Sequence, residues 1–335
     1  MQRPRSRGPL SGEVLRIIGA GSAAHHHAAR FADQVAAVED PLRDADLNLA
    51  LACCYELHYR GFDDETGDLE WDPSVIELRT TLERRFDAAV RAAVPPASAR
   101  LLARPVAQAL TAIIDADDGP ALSRFMLREA TLEQFQDLVV QRSVYHLKEA
   151  DPHTWQVPRL SGRAKEALVE IQADEYGGGR PGRSHAVLFA RVMAALDLDP
   201  TYGRYWDHAL PETLAVNNFM SLLGLHRRHR GASIGHLAAL EMTSTTPNRR
   251  YGNGLRRLGF DGAATLFFDE HVEADAVHEQ VAANDMCGAF VAAEPQRRAD
   301  VLWGATACLA LDARASAALL DSWASGLPAQ LALAG

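Results

Sequence analysis

The chain has 335 residues, with 34 Lys and Arg against 44 Asp and Glu, giving a formal net charge of −10. That acidic balance argues against a nucleic-acid partner, because gripping a phosphate backbone needs a positive footprint. A hydrophobic content of 47% beside 23% charged residues belongs to a folded protein with a core and excludes disorder of the whole chain.

At roughly 150 residues per domain the length admits two domains, or one helical unit with an extension. Cys53 and Cys54 are adjacent while Cys287 and Cys308 are isolated. This pattern is neither a disulfide framework nor a Cys-x-x-Cys metal pair, and a reducing cytoplasm is the expected compartment. The first residues carry Arg3, Arg5 and Arg7 and read as a flexible basic tail. The short apolar run at Val14 to Ile18 is too brief for a secretory leader, and no stretch approaches the ~20 apolar residues of a membrane span.

Val14 to Ile18 followed by Gly19-Ala20-Gly21-Ser22-Ala23-Ala24 imitates the strand-to-helix glycine fingerprint of a dinucleotide site. Such a domain needs further strands alternating with helices, and the chain beyond Glu39 offers none that convince. His25, His26 and His27 are consecutive, so on a helix they point about 100° apart and cannot converge on one ion. From Leu47 onward apolar residues recur at helical spacing, as in Ile76, Leu78, Leu82, Phe86 and Val90. Pro95 and Pro96 punctuate the chain, so 1–97 reads as the tail plus a helical extension and 98–335 as a bundle. Helices are predicted near 99–115, 119–130, 131–149, 161–176, 184–197, 211–225, 231–242, 250–258, 262–283, 294–309 and 312–325. Thr131 and Ser161 are the expected caps of two of them, and Gly177-Gly178-Gly179 with Pro181 must end the second. The fold class is all-α.

The strongest chemical signal is Asp269-Glu270-His271-Val272-Glu273-Ala274-Asp275-Ala276-Val277-His278. On a helix His271, Asp275 and His278 fall at about 0°, 40° and −20°, one narrow stripe of two imidazoles and a carboxylate. Such a set suits non-haem iron or manganese with positions open for oxygen and substrate. The stripe alone fits a solvated outer face equally well. Further donors lie upstream: Glu149 at the end of an apolar helix, Glu175 at the end of the next, and His185 just past the glycine break.

Together these elements resemble the haem-oxygenase-like diiron oxidases, also known as iron-containing redox enzymes. The resemblance covers about 110–325, and Tyr55-Glu56-Leu57-His58 in the extension is similar to bacterial members. It implies a haem-oxygenase-like bundle holding two iron ions, loaded as Fe(II), with O2 as co-substrate. The implied ligands are Glu149, Glu175 with His185, and His271 with Asp275 and His278; Glu241 matches the extra Glu that some members add. Family chemistry spans desaturation or C–C scission of amino acids, N-oxygenation of amines, and oxidative decarboxylation of fatty acids. Among these, the similarity to azetidine-forming members points to C–H activation of a small aliphatic amino acid in specialised metabolism, with desaturation that leads to a small ring. An N-oxygenase, a haem-degrading enzyme of the same fold and a metal-free partner-binding scaffold are the alternatives. Arg142, Arg159, Arg249 and Arg250 are available to hold a substrate carboxylate. No membrane partner is expected, and pairing of two copies through long helices is the expected assembly.

Overall fold

The computed structural model describes residues 1–21, 28–64 and 69–331, with the side chains of 274–276 outside the described set. In chain order the helices are α1 Pro9–Ala20, α2 Ala28–Ala36, α3 Ala45–Glu56 and α4 Pro73–Ala93, then α5 Ala99–Leu102, α6 Val106–Asp115, α7 Leu122–Arg128 and α8 Leu132–His146. They continue with α9 Asp151–Thr154, α10 Gly162–Glu175, α11 His185–Ala195, α12 Pro211–Leu225, α13 Arg230–Arg257, α14 Leu266–Gln280, α15 Ala289–Ala293 and α16 Arg298–Ala324. Among the described residues there is no strand, and none of the helices is long and apolar enough to cross a membrane.

Val14 to Ile18, the imitation strand, lies inside α1. His25 to His27 lie outside the described residues. The expected flexible tail is instead packed. The Met1 amino group donates to Gly61 O at 2.9 Å, Arg3 reaches Asp64 and Leu15 O, and Arg7 Nη2 donates to Trp206 O at 2.8 Å. Leu10, Val14, Ile17 and Ile18 are buried beneath them. The arginines looked like a solvated charge run because their acceptors lie far along the chain, where spacing gives no hint of them. One hydrophobic cluster joins this segment to the bundle, running from Leu10 and Val14 through Leu51 and Phe86 to Phe219 and Trp303. Position 97 therefore marks no gap in packing.

Helix α3 is buried over Leu47–Glu56 without a break, the pattern of a rod enclosed on all sides. Burial of Glu56 is tolerated because Tyr202 Oη donates to it at 2.8 Å and Lys148 Nζ lies 3.4 Å away. Lys148 also sits 3.6 Å over the Tyr59 ring, so the extension grips the turn that carries Glu149.

Two expected helix breaks are absent. Residues 231–242 and 250–258 belong to one rod, α13, although Pro247 lies inside it. An internal proline costs about 3 kcal/mol, and α13 continues because both sides of Pro247 pack, the first half on α16 and the second on α7 and α14. The segments 294–309 and 312–325 likewise merge into α16. Asp312 interrupts the apolar period there because it faces a cavity rather than solid core.

Candidate metal centre

Helix α8 starts with a capping box in which Gln134 N–H donates to Thr131 Oγ1 and Thr131 N–H donates to Gln134 Oε1 at 3.0 Å. It ends at His146, three residues earlier than predicted, and Glu149 sits in the following turn. Helix α10 ends on Glu175. The chain then turns through Gly177, Gly178 and Gly179, with φ of 70°, 60° and 72°, a left-handed run that residues with a Cβ resist. At Gly177 a Cβ would also meet the Arg183 backbone at 2.5 Å. This reversal returns the chain so that His185, the first residue of α11, faces Glu175. Glu241 lies in mid α13, and His271 and His278 on α14.

Glu149, Glu175, His185, His271, Glu241 and His278 come together in the interior, none more than 7% exposed. Glu149, Glu175, His185 and His271 present ligand atoms all within 4.8 Å of one another, and Glu175, Glu241 and His278 form a second such group. Glu175 belongs to both. The Asp275 side chain, the remaining implied ligand, lies outside the described residues.

Hydrogen bonds orient these donors. His271 Nδ1 donates to Phe267 O at 2.8 Å, which leaves Nε2 as the lone-pair nitrogen, 3.5 Å from Glu149 Oε1. His278 Nε2 pairs with Asp174 Oδ2 at 3.0 Å, so Nδ1 is the nitrogen turned toward Glu241, 3.2 Å away. His146 Nδ1 donates to Glu149 Oε1 at 2.7 Å. Burial alone would raise the Glu149 pKa, but the His146 and His271 imidazoles outweigh it and hold the carboxyl well below its usual value. Burial pushes Glu241 up, with Glu175 adding to the effect and His278 opposing it. At His185 burial opposes protonation, yet the neighbouring Glu175 raises the imidazole above its ordinary value.

These atoms fit a cation better than they fit one another. Glu149 Oε2, Glu175 Oε2 and His185 Nδ1 are buried and lack a hydrogen-bond partner. The last two lie only 2.9 Å apart, close enough to bond but without the alignment. Buried polar atoms left this way cost about 1–3 kcal/mol each, a cost that an ion between them removes. The donor set is imidazole nitrogen and carboxylate oxygen, which suits iron or manganese. The nearby Cys308 is no competing ligand, since burial pushes its thiol well above the ordinary range and keeps it protonated.

The family model for iron-containing redox enzymes matches residues 136–313, over half of the chain. The chain belongs to that family. The chain is also similar to a nitrosourea synthase from Streptomyces achromogenes subsp. streptozoticus, 30% identical over 144 residues, which is 43% of this chain and 31% of the relative. The chain thus spans about a third of the curated relative it matches. An iron-containing redox enzyme is an oxidoreductase, and its haem-oxygenase-like all-α bundle is the fold described above.

Spacing and resemblance single out the six clustered donors Glu149, Glu175, His185, Glu241, His271 and His278 but not the residues that orient them. His146 is the clearest omission. Its i, i+3 relation to Glu149 was visible, yet an isolated His on an apolar helix gives no sign of direction. Tyr145 lines the adjoining cavity, where burial and then Glu149, Glu175 and Glu241 keep its phenol protonated. Of the four arginines considered for a substrate carboxylate, only Arg142 lines that cavity. Arg159 is committed to Leu225 O at 2.8 Å, Arg250 to Ser123 Oγ at 3.1 Å, and Arg249 is exposed.

Outer partners of metal ligands typically contribute 10–100-fold in metal affinity. His146→Leu is therefore expected to weaken Fe(II) binding by about that factor, measured by chelator competition under argon. Unchanged affinity would show that the His146–Glu149 bond contributes nothing to the centre.

Proposed function

We propose that this protein is an O2-dependent non-haem diiron oxidase that activates a C–H bond of a small aliphatic amino acid, desaturating it on the way to a small ring. The observation that carries this reading is the pair of buried donor groups sharing Glu175. One group needs a carboxylate from each of two helix ends and imidazoles from two more helices; the other adds α13. Glu149, His185 and His271 with Glu175 would hold one ion, and Glu241 and His278 with Glu175 the other. Asp275 is the family's further ligand to the centre. Two Fe(II) ions held there would supply two of the electrons that reduce dioxygen and the oxidising power to cleave an unactivated C–H bond, with an external reductant restoring Fe(II) for each turnover.

The chain's own residues supply a small chamber. The cavity beside the donors has a volume of about 240 Å³. A cavity of about 150 Å³ admits benzene, and drug-sized ligands need roughly 300–1,000 Å³. That range favours a small metabolite over a long fatty chain. His153 and His236 line the cavity and contact each other at 3.3 Å. Burial lowers His153 to about 4 and holds His236 well below its ordinary value, so both are neutral at pH 7. Tyr145 keeps a proton on its phenol next to three carboxylates. It is positioned to donate a hydrogen bond into the chamber.

Anaerobic Fe(II) reconstitution tests the reading. The protein should take up about two irons per chain, and oxygen consumption should accelerate with an aliphatic amino acid present. A product lighter by two hydrogens marks desaturation. A product heavier by one oxygen atom favours the N-oxygenase reading, which rests on the likeness to a nitrosourea synthase. Iron well below one per chain, with oxygen uptake indifferent to amines and amino acids, overturns both.

A further inference from the structure

The cavity carries opposite charges at the end remote from the donors. Arg142 lies on α8 and Glu149 in the turn that follows that helix, while Asn248 lies seven residues after Glu241 along α13; all four line the cavity. Seven residues of helix return a side chain to nearly the same face about 10 Å farther on. On α13 this spacing sets Asn248 about one such step from the donor Glu241. Tyr251 on α13 and Asp312 and Ser316 on α16 complete this polar end. The lining also includes the apolar Met220, Leu237 and Leu240 beside the polar Tyr145 and Ser244.

Arg142 and Asp312 face the same space without joining. Among the described residues, Arg142 Nη2 donates to Tyr251 Oη at 3.0 Å and its guanidinium stacks 4.7 Å over that ring. Asp312 accepts a long bond from Ser316 Oγ at 3.5 Å. Neither forms a salt bridge among the described residues; burial pushes the Asp312 carboxyl up, and Arg142 opposes that shift. A structural ion pair would close this gap, because charges removed from bulk water gain most by touching. A gap held open between a cation and an anion on the wall of one cavity matches a dipolar ligand.

We propose that Arg142 and Asp312 form a head-group clamp for a zwitterionic α-amino acid, Arg142 receiving the carboxylate and Asp312 the ammonium. The substrate's side chain then points toward Glu175 and Glu241. The clamp rests on the oxidase reading for what happens at the far end, but not for binding. The guanidinium fork matches a carboxylate bidentately, and Asn248 is within the same group to accept or donate. Subtracting one hydrogen-bond length at the head group and one contact distance at the donors from the ~10 Å offset leaves roughly 4 Å of aliphatic chain. That is a three- or four-carbon side chain, lying along Leu237 and Leu240.

Calorimetric titration of the iron-loaded protein under argon tests the clamp with valine, leucine and isoleucine. Each is compared with its decarboxylated amine and its deaminated acid, and iron is quantified in the same samples. Charge-assisted hydrogen bonds contribute about 1.5–3 kcal/mol, or roughly 10–150-fold in Kd. Arg142→Leu should weaken the amino acid and the deaminated acid by about that factor while sparing the amine, and Arg142→Lys should restore part of the loss. Asp312→Asn should do the reverse, weakening the amino acid and the amine while sparing the acid. Both variants should keep wild-type iron. Equal loss of all three ligand types would reveal a packing defect and overturn the clamp, as would wild-type affinity in both variants or tighter wild-type binding of the amines or acids than of the amino acids. Iron absent from every sample with the ligand split intact would defeat the diiron reading and leave the clamp standing.

Discussion

Glu175→Ala is expected to strip iron from both halves of the centre, whereas Glu149→Ala and Glu241→Ala should each spare one. Glu175 is the residue common to the two donor groups, and its Oε2 is buried with no hydrogen-bond partner. Removing it takes a ligand from each ion and also the negative charge that offsets two neighbouring cations. Buried cations that lose such compensation are far costlier than exposed ones. Outer partners alone contribute 10–100-fold in affinity, so losing a shared direct ligand should exceed that, bringing iron well under one per chain and turnover to background. The effect should also appear without any assay of chemistry. An ion present at 100 times its Kd stabilises the native state by about 2.7 kcal/mol, so the wild type should melt higher with Fe(II) and Glu175→Ala should not. Metal analysis beside thermal melts with and without Fe(II) decides the matter. A Glu175→Ala protein with full iron would end the shared-carboxylate assignment.

The stripe of His271 and His278 was legible because both side chains belong to one helix, where spacing alone fixes their common face. Glu175 and His185 are different. They are joined by a left-handed triple-glycine turn whose path the sequence announces only as a break, so their meeting was implied by family resemblance and not by periodicity. Asp174, 59% exposed and yet hydrogen-bonded to His278, looked like any other acid at a helix end. The N-terminal arginines show the same limit. Their acceptors are set by tertiary contacts, Asp64 for Arg3 lying about sixty residues away and Trp206 O for Arg7 about two hundred. Local pattern also overstated the breaks at Pro247 and Asp312. In both places a residue unsuited to solid helix core borders the cavity, and the packing of α13 on α16 carries the rods through.

That packing should be the most sensitive structural point in the molecule. A Cβ placed on Gly235 of α13 would lie 1.9 Å from Val301 O, and one placed on Gly304 of α16 would lie 2.0 Å from Ala232 O. The two glycines make a reciprocal contact in which each helix presses its backbone against the other, so no side chain can rotate away to make room. Gly→Ala inside a helix ordinarily gains about 1 kcal/mol in propensity. Overpacking typically costs about 1–3 kcal/mol and more when backbone must move, so the clash should outweigh the gain. We expect Gly235→Ala and Gly304→Ala each to lower the melting temperature by several degrees. Gly12→Ala in α1, whose Cβ would meet only Ser6 Cβ at 3.8 Å, should be neutral or stabilising. Glu241 lies six residues from Gly235, and Asp312 eight from Gly304, so prying the rods apart should also misplace a metal donor and the head-group anion. Fe(II) affinity should therefore fall along with stability. Because either methyl group forces the same separation, the double variant should lose less than the sum of the singles, the coupling expected of residues sharing one contact. Additive losses would instead mean that the two helices yield independently at each glycine, and that no single close approach sets their spacing.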